Sequence, residues 1–439
     1  MKYFLIHTFG CQMNEYDSEC IASLLLNRGW HRTEEPKKAD LFIINTCSVR
    51  EKPVQKLFSL IGRYREQCKS PSVPVFVTGC VAQQLGKKLL KNNRKVDGVF
   101  SPEYEKMIPD AFEKENFPII MTRQNKESRV DTELFPEDSH KPEFNSLSSF
   151  VSVIHGCNNF CTYCIVPFLR GREISRSYHK IEKEIKQLLS RGVREITLLG
   201  QNVNSYYDSR EKMDFTELLH KTAAIPGLKR LRFVTSHPKD FTKKLAEAFA
   251  EIENLMPYLH LPAQTGSNSI LKKMGRGYTR EEYIKKIETL KKYCPDISLS
   301  SDFITGFPGE TDKDFSDTVS LLDEIGYDTI FAFAYSQRPM TKASRVFEDN
   351  LSQEIKLSRL NKLLEHQKKI MKKVRGRFLN RKETVLIEGY SKQGNTMYGR
   401  TAHNIIAHVK NAEPSHKGQI VKVNIKEILK NTLRGEFLP

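Results

Sequence analysis

Between residues 150 and 335 the sequence alternates six short apolar runs with helical periodicity, a pattern that limits the segment to parallel strands with helices packed on their faces. The runs cover residues 150–154, 195–199, 231–235, 258–261, 297–304 and 329–335. Helical stretches such as 181–190, 280–293 and 312–325 fall between them. Six strands with five crossing helices suit a partial (β/α)6 barrel better than an open sheet. The first hundred or so residues repeat the pattern on a smaller scale. Strands are expected at 3–7, 41–45, 75–78 and 96–100, and helices near 15–28, 53–65 and 83–92, which predicts a small parallel α/β sheet. Residues 122–149 are polar and aperiodic and read as a linker. A long helix is expected over 353–374, followed by β-rich sequence at 383–388, 396–400, 405–409 and 419–425, with Gly389, Gly394 and Gly418 nearby. Such spacing suits a small barrel. The expected organisation is an N-terminal α/β domain (1–121), a linker (122–149), a partial barrel (150–376) and a small all-β barrel (377–439).

Cysteine placement suggests what these sheets carry. Cys157, Cys161 and Cys164 form C-x3-C-x2-C directly after the first barrel strand, preceded by Gly156. Three thiolates this close can hold three irons of a cubane cluster and leave the fourth iron open. An amine and a carboxylate on one small molecule can chelate that iron, which would let the cluster pass an electron into S-adenosylmethionine (SAM) and cleave it to a 5′-deoxyadenosyl radical. Structural zinc asks for four protein ligands, no fourth Cys or His follows at finger spacing, and His155 lies too close before Cys157. Cys11, Cys47 and Cys80 each follow one of the first three strands, in the contexts Gly10-Cys11, Asn45-Thr46-Cys47 and Gly79-Cys80. Strand carboxyl ends share one edge of a parallel sheet, so a second three-cysteine cluster is expected on that rim. Cys20, Cys68 and Cys294 lie in helical patterns and read as small buried hydrophobes. At the carboxyl ends of the barrel strands stand Gly200, Gln201, Gln264, Ser267, Asp302 and Gly306, the candidates for holding SAM. His237, in a similar position, reads as a hydrogen-bonded loop residue rather than a catalyst.

Composition narrows the partners. Lys and Arg number 70 against 53 Asp and Glu, a net charge of +17. Such an excess favours a polyanion, because phosphate contacts release counterions; charge alone fits a solvated basic surface equally well. Nine cysteines, an odd number, with no signal-peptide pattern argue against a disulfide framework. No apolar stretch approaches the roughly 20 residues that span a bilayer. A cytoplasmic protein with no membrane partner is expected.

The run Cys157-Asn158-Asn159-Phe160-Cys161-Thr162-Tyr163-Cys164, with Ile165-Val166-Pro167 and Arg170-Gly171-Arg172-Glu173-Ile174-Ser175-Arg176, resembles the radical SAM signature of the methylthiotransferases. Gly10-Cys11-Gln12-Met13-Asn14, Asp17-Ser18-Glu19 and residues 45–52 resemble the tRNA-acting branch. Tyr398-Gly399-Arg400-Thr401 with Asn404 resembles a TRAM domain, a small RNA-binding β-barrel. The resemblance implies replacement of the C2 hydrogen of an N6-isopentenylated adenosine beside the anticodon by sulfur and then methyl, with SAM used as radical source and as methyl donor. It implies two 4Fe-4S clusters, the one at Cys11, Cys47 and Cys80 holding or supplying sulfur. It further implies a monomer that engages the anticodon stem-loop of tRNA and draws on a reductant protein and a sulfur donor. One departure stands out: the family usually has Gly where Met340 stands, and because Gly permits backbone angles that Met resists, this loop is expected to differ.

Rival readings are methylthiolation of threonylcarbamoyladenosine in tRNA, or of a ribosomal-protein aspartate. A non-catalytic iron–sulfur RNA-binding sensor belongs to a different class and would not cleave SAM. RNA binding is expected to draw on Arg400 and on Lys356, Arg359, Lys362, Lys368, Lys369, Lys372 and Lys373 of the helix at 353–374.

Overall fold

The computed structural model describes residues 1–48, 52–90, 96–114, 116–123, 146–391 and 396–439. Val49, Arg50 and Glu51 of the second cysteine motif, Gly394, the end of the helix expected at 83–92 and most of the expected linker lie outside the described residues.

The N-terminal sheet has six strands: β1 (Tyr3–Thr8), β2 (His31–Arg32), β3 (Leu41–Thr46), β4 (Val75–Gly79), β5 (Gly98–Phe100) and β6 (Ile119–Met121), ordered β2-β1-β3-β4-β5-β6 and all parallel. The edge strands β2 and β6 were not expected; they are short and carry no sustained apolar run. β3 is buried along its whole length, as a strand covered by helices on both faces must be. Phe42 and Val77 pack on one face and Phe4 and Phe76 on the other; each such burial is worth about 1.5–3 kcal/mol. Helix α1 (Gln12–Leu26) follows β1 and buries Met13, Tyr16, Ile21, Ala22 and Leu25. The helix expected from 83 begins earlier, as α2 (Cys80–Leu85), and tightens into a 3₁₀ turn at Gly86–Leu89.

The barrel strands are β7 (Ser148–Ser152), β8 (Glu195–Leu199), β9 (Arg230–Phe233), β10 (Tyr258–His260), β11 (Ser298–Thr305) and β12 (Thr329–Ala334). β7 therefore starts inside the expected linker. Parallel ladders join β7-β8-β9 and β10-β11-β12. Between these two ladders the one β-bridge among the described residues is Leu231–Leu255. Leu299 and Phe303 of β11 face the main core, so alternation turns Ser300 and Asp302 to the barrel interior.

Helix α3 (Val166–Arg170) follows the first cysteine loop, and α4 (Gln353–Arg375) follows the last strand. The chain ends in a closed barrel of β13 (Lys382–Ser391), β14 (Thr396–Thr401), β15 (Ile406–Lys410), β16 (Ile420–Ile428) and β17 (Leu433–Leu438), ordered β13-β14-β15-β17-β16. Its fifth strand, β17, closes the barrel and was not expected. This domain docks on the starts of the parallel strands. Arg230 donates to Arg400 O (2.7 Å) and Thr384 O (3.0 Å), and Arg232 to Ala402 O and Thr401 O (both 2.8 Å), with Glu195 Oε2 3.0 Å from Arg232 Nε. The carboxyl ends of the strands are left to the cysteine loop. Among the described residues no helix is long and apolar enough to cross a membrane.

Candidate metal centres

At the first cysteine set, the loop is held from several sides. Cys157 N donates to Gly171 O (3.2 Å), Thr162 N to Met274 O (2.9 Å), and Gly156 N to Gln201 Oε1 (2.5 Å). Arg276, 4% exposed, donates Nη1 to Cys161 Sγ (3.4 Å), Nη2 to Pro262 O (2.8 Å) and Nε to Tyr278 OH (3.2 Å). His237 Nε2 lies 3.8 Å from the same sulfur, while its Nδ1 accepts from Lys239 N at 3.2 Å. That bond assigns the proton to Nε2. Burial, with the nearby Arg276 charge, pushes the His237 pKa down to about 2, so the ring is neutral. Its expected role as a hydrogen-bonded loop residue extends to a contact with a cysteine sulfur. His155 is likewise neutral, pushed down to about 3 by burial and by Arg170. Burial raises the Cys157 thiol, and the Cys164 thiol to about 12.

The second set is assembled by the sheet. Cys11 caps α1, Cys47 follows β3 and Cys80 opens α2. Gly10 has φ +139°, and a Cβ there would stand 2.6 Å from Cys47 Cβ; Gly79, at φ +87°, packs against Asn45 and Thr46. Glycine at both turns permits these backbone angles and close approaches, and Cys11 comes within hydrogen-bond reach of Cys47. Asn14 and Asn45 tie the loop to β3, with Asn14 Nδ2 donating to Asn45 Oδ1 at 2.7 Å, and Cys11 Sγ to Asn14 Oδ1 at 3.3 Å. A hydrogen bond with Cys47, helped by the Arg170 charge, brings the Cys11 thiol down to about 6. Burial raises Cys80, with Arg170 opposing.

These donors fit iron–sulfur clusters. A buried thiol without partners stays protonated, whereas N–H donors and guanidinium charge beside sulfur favour metal-bound thiolate. Among the described residues no group of three or more His, Cys, Asp or Glu is arranged to hold a metal ion. In a cubane each thiolate takes its own iron, so convergence on one point is not required.

Of the other candidates, Gln264 is buried at φ +71° and its N donates to Asp302 O (2.8 Å). Asp302 lies in the C-terminal half of β11, and its Oδ2 is 3.5 Å from His260 Nε2. Gly200 directly follows β8. Ser267 donates to Asp314 Oδ1 (2.5 Å) and caps Ile270 N (3.3 Å), which spends its single donor. Gly306 N donates to Glu310 Oε2 (2.8 Å) within its own turn. Cys20 packs in α1, while Cys68 and Cys294 sit one position past helix ends. Sequence reasoning missed Arg170, Arg276, His260 and Phe331. Phe331 is 45% exposed on β12, edge-on to His260 with centroids 6.0 Å apart. Strand alternation alone places it opposite the core-facing Ile330, and that signal was available.

The long basic helix divides by face. Lys356 pairs with Asp349 (2.6 Å), and Arg359 with Glu310 (2.8 Å) and Asp312 (2.7 Å), both buried; Lys362, Lys368, Lys369, Lys372 and Lys373 are exposed. Arg400 Nη1 donates to Asn404 Oδ1 (3.2 Å), and its Nε lies 3.4 Å from Glu388 Oε1.

Met340 takes φ +73° and is 40% exposed. Residue 340 thus has a backbone conformation that favours glycine, in a loop where Thr341 binds back to Arg338 O (Oγ1, 2.8 Å) and Ala343 N donates to Thr162 O (2.7 Å). A side chain in this region costs about 1 kcal/mol. Met340→Gly should raise the thermal midpoint slightly and Met340→Val should lower it, as differential scanning fluorimetry would register.

Residues 151–322 match the Radical SAM superfamily, residues 3–101 the Uncharacterized protein family UPF0004, and residues 376–438 the TRAM domain. The chain is 45% identical over 441 residues to the tRNA-2-methylthio-N(6)-dimethylallyladenosine synthase of Geotalea uraniireducens (strain Rf4), covering 99% of each. It is 44% identical to the enzyme of the same name from Geobacter metallireducens, covering 99% of this chain and 98% of the other. Among solved structures, the radical S-adenosylmethionine methyltransferase TsrM from Kitasatospora setae, with cobalamin and a [4Fe-4S] cluster bound, aligns at TM-score 0.59 and 14% identity over 78% of this chain and 74% of its own, a likeness of fold.

Proposed function

The chain belongs to the family of tRNA-2-methylthio-N(6)-dimethylallyladenosine synthases, and from that membership we infer that Cys157, Cys161 and Cys164 hold one 4Fe-4S cluster and Cys11, Cys47 and Cys80 a second. The protein is a radical SAM tRNA methylthiotransferase that adds a methylthio group to C2 of N6-isopentenyladenosine, using SAM as radical source and methyl donor. When bound, the first cluster supplies the electron that cleaves SAM to a radical able to remove an aromatic hydrogen, and the second supplies sulfur.

One observation carries the assignment of residues: the two cysteine sets are neighbours. Cys80 packs in one buried group with Ile165, which directly follows Cys164, and with Leu169 of α3. Hydrogen removal and sulfur delivery at one carbon require such adjacency. Arg276 and His237 steady Cys161, and Gln201 steadies the loop through Gly156. Gly200, Gln264 and Asp302 line the approach for SAM, whereas Ser267 and Gly306 shape turns. Phe331 beside His260 offers a face on which the target base stacks. Base stacking on an aromatic is worth about 1–3 kcal/mol, so Phe331→Ala should lower kcat/KM for tRNA roughly 10- to 100-fold while SAM cleavage without tRNA persists.

The tRNA is engaged at its anticodon stem-loop by a monomer that takes electrons from a reductant protein and sulfur from a separate donor. Exposed Lys368, Lys369, Lys372 and Lys373 bind phosphates of the RNA backbone. Replacing all four with Ala should weaken tRNA binding and flatten its salt dependence, by a slope of about 0.7–0.9 for each phosphate no longer neutralised. An unchanged slope in a filter-binding titration would exclude the helix from the interface.

The deciding experiment is anaerobic turnover of the reconstituted protein with SAM, reductant and sulfide on two tRNAs, one carrying isopentenyladenosine and one threonylcarbamoyladenosine. Nucleoside mass spectrometry should find a methylthio product from the first alone. Product from the second alone would reassign the substrate, and 5′-deoxyadenosine with product from neither would point to a protein substrate.

A further inference from the structure

A buried cation from the barrel reaches the second cysteine set. Arg170 ends α3, the short helix that follows the first cysteine loop, and its side chain is 3% exposed. Nη2 donates to Asp17 Oδ2 at 2.6 Å, and Asp17 belongs to α1, the helix that Cys11 caps. On the other side, α3 packs Leu169 against Cys80. The guanidinium charge interacts with Asp17, Cys80 and Cys11, and His155 lies within its reach as well. Arg170 Nη1 is buried without a nitrogen or oxygen acceptor among the described residues, and the guanidinium hydrogen-bonds the Cys80 side chain. A guanidinium holds its charge at any physiological pH. One carboxylate occupies only part of its donor fork, and an unused buried donor is costly. A donor so placed, beside the Cys11 and Cys80 thiols, matches negative charge carried on their sulfurs.

We propose that Arg170 is the positioning residue of the second centre: it clamps the Cys11, Cys47 and Cys80 rim to the barrel through Asp17, and its charge favours the reduced state of the cluster held there. The proposal rests on the reading that these cysteines ligate a cluster. Cluster potentials respond to net charge and to hydrogen bonds at sulfur. One electron added to [4Fe-4S]2+ makes the centre more negative, and a fixed cation beside it stabilises that product. Arg276 stands in a comparable position at Cys161, so each cysteine set has its own buried guanidinium.

The test uses the full chain with Cys157, Cys161 and Cys164 replaced by Ala, so that absorbance and EPR signals belong to the second centre. Anaerobic titration with dithionite reads the one-electron reduction, while iron and sulfide assays read occupancy. Arg170→Gln should keep its iron and shift the reduction equilibrium at least tenfold toward the oxidised form, which is about 59 mV for one electron. Arg170→Lys should recover most of that shift. Asp17→Asn, which removes the counter-charge and keeps the cation, should not follow Arg170→Gln toward the oxidised side. An unchanged potential in Arg170→Gln at full iron content would overturn the proposal. Equal loss of iron from the Gln and Lys variants would also overturn it, leaving Arg170 a packing clamp. An iron-free parent would overturn the cluster assignment and the proposal with it.

Discussion

Alanine at Cys157, Cys161 and Cys164 is expected to abolish 5′-deoxyadenosine formation, whereas alanine at Cys11, Cys47 and Cys80 should leave SAM cleavage intact and abolish the methylthio product. The separation follows from the fold. The first set lies on the loop after β7, held by Arg276, His237 and Gln201, and none of those contacts passes through the N-terminal sheet. The second set depends on the ends of β1, β3 and β4. Each triple variant should lose the iron of one cluster. Loss of the radical source should return the reaction to its uncatalysed rate, a fall of at least about 10⁶-fold. Gly10→Ala should mimic the second triple variant, since its new Cβ would stand 2.6 Å from Cys47 Cβ. 5′-Deoxyadenosine by chromatography, modified nucleoside by mass spectrometry and iron per chain report the three outcomes separately. Methylthio product from the Cys11, Cys47 and Cys80 variant would remove the second set from the chemistry.

Arg232→Met should detach the C-terminal barrel. Arg232 is 4% exposed, holds two carbonyls of that domain and stands 3.0 Å from the equally buried Glu195. Removing one member of a buried pair leaves a charge without compensation, at a cost of about 3–5 kcal/mol. Arg230, whose Nη1 is 3.9 Å from Glu195, offsets only part of this. Limited proteolysis should release a fragment beginning near residue 376 faster than from the parent, and tRNA affinity should fall with it. The Glu195→Leu, Arg232→Met double variant should recover part of the stability, because no buried carboxylate is then stranded. A double variant no better than Arg232→Met would assign the whole effect to the hydrogen bonds that Arg232 makes to the two carbonyls.

Much of this was legible from residue order. Strand–helix alternation located the barrel strands to within a few residues, because parallel strands covered on both faces need continuous apolar runs. The helices at 280–293 and 312–325 begin with Thr279 and Thr311, whose side chains close capping boxes with Glu282 and Asp314. Their bounds were local facts. Strands β2, β6 and β17 were not local facts: β2 and β6 are short, and all three owe their pairing to a neighbour already in place. The strand expected at 297–304 is observed at Ser298–Thr305, with Asp302 in its C-terminal half.

What the sequence determined by itself was composition and spacing: three cysteines within one loop, three more after successive strands, and an excess of positive charge. Tertiary structure decided which charges are free and which are spent. Lys356 and Arg359 look like their helix neighbours in sequence, yet both are buried in ion pairs while Lys368 and Lys369 face solvent. Arg170 and Arg276 become cations beside sulfur only when segments far apart in the chain meet. Periodicity is written in neighbouring residues and survives in a one-dimensional reading. Burial and partnership arise from packing between distant segments, and electrostatic strength follows from both.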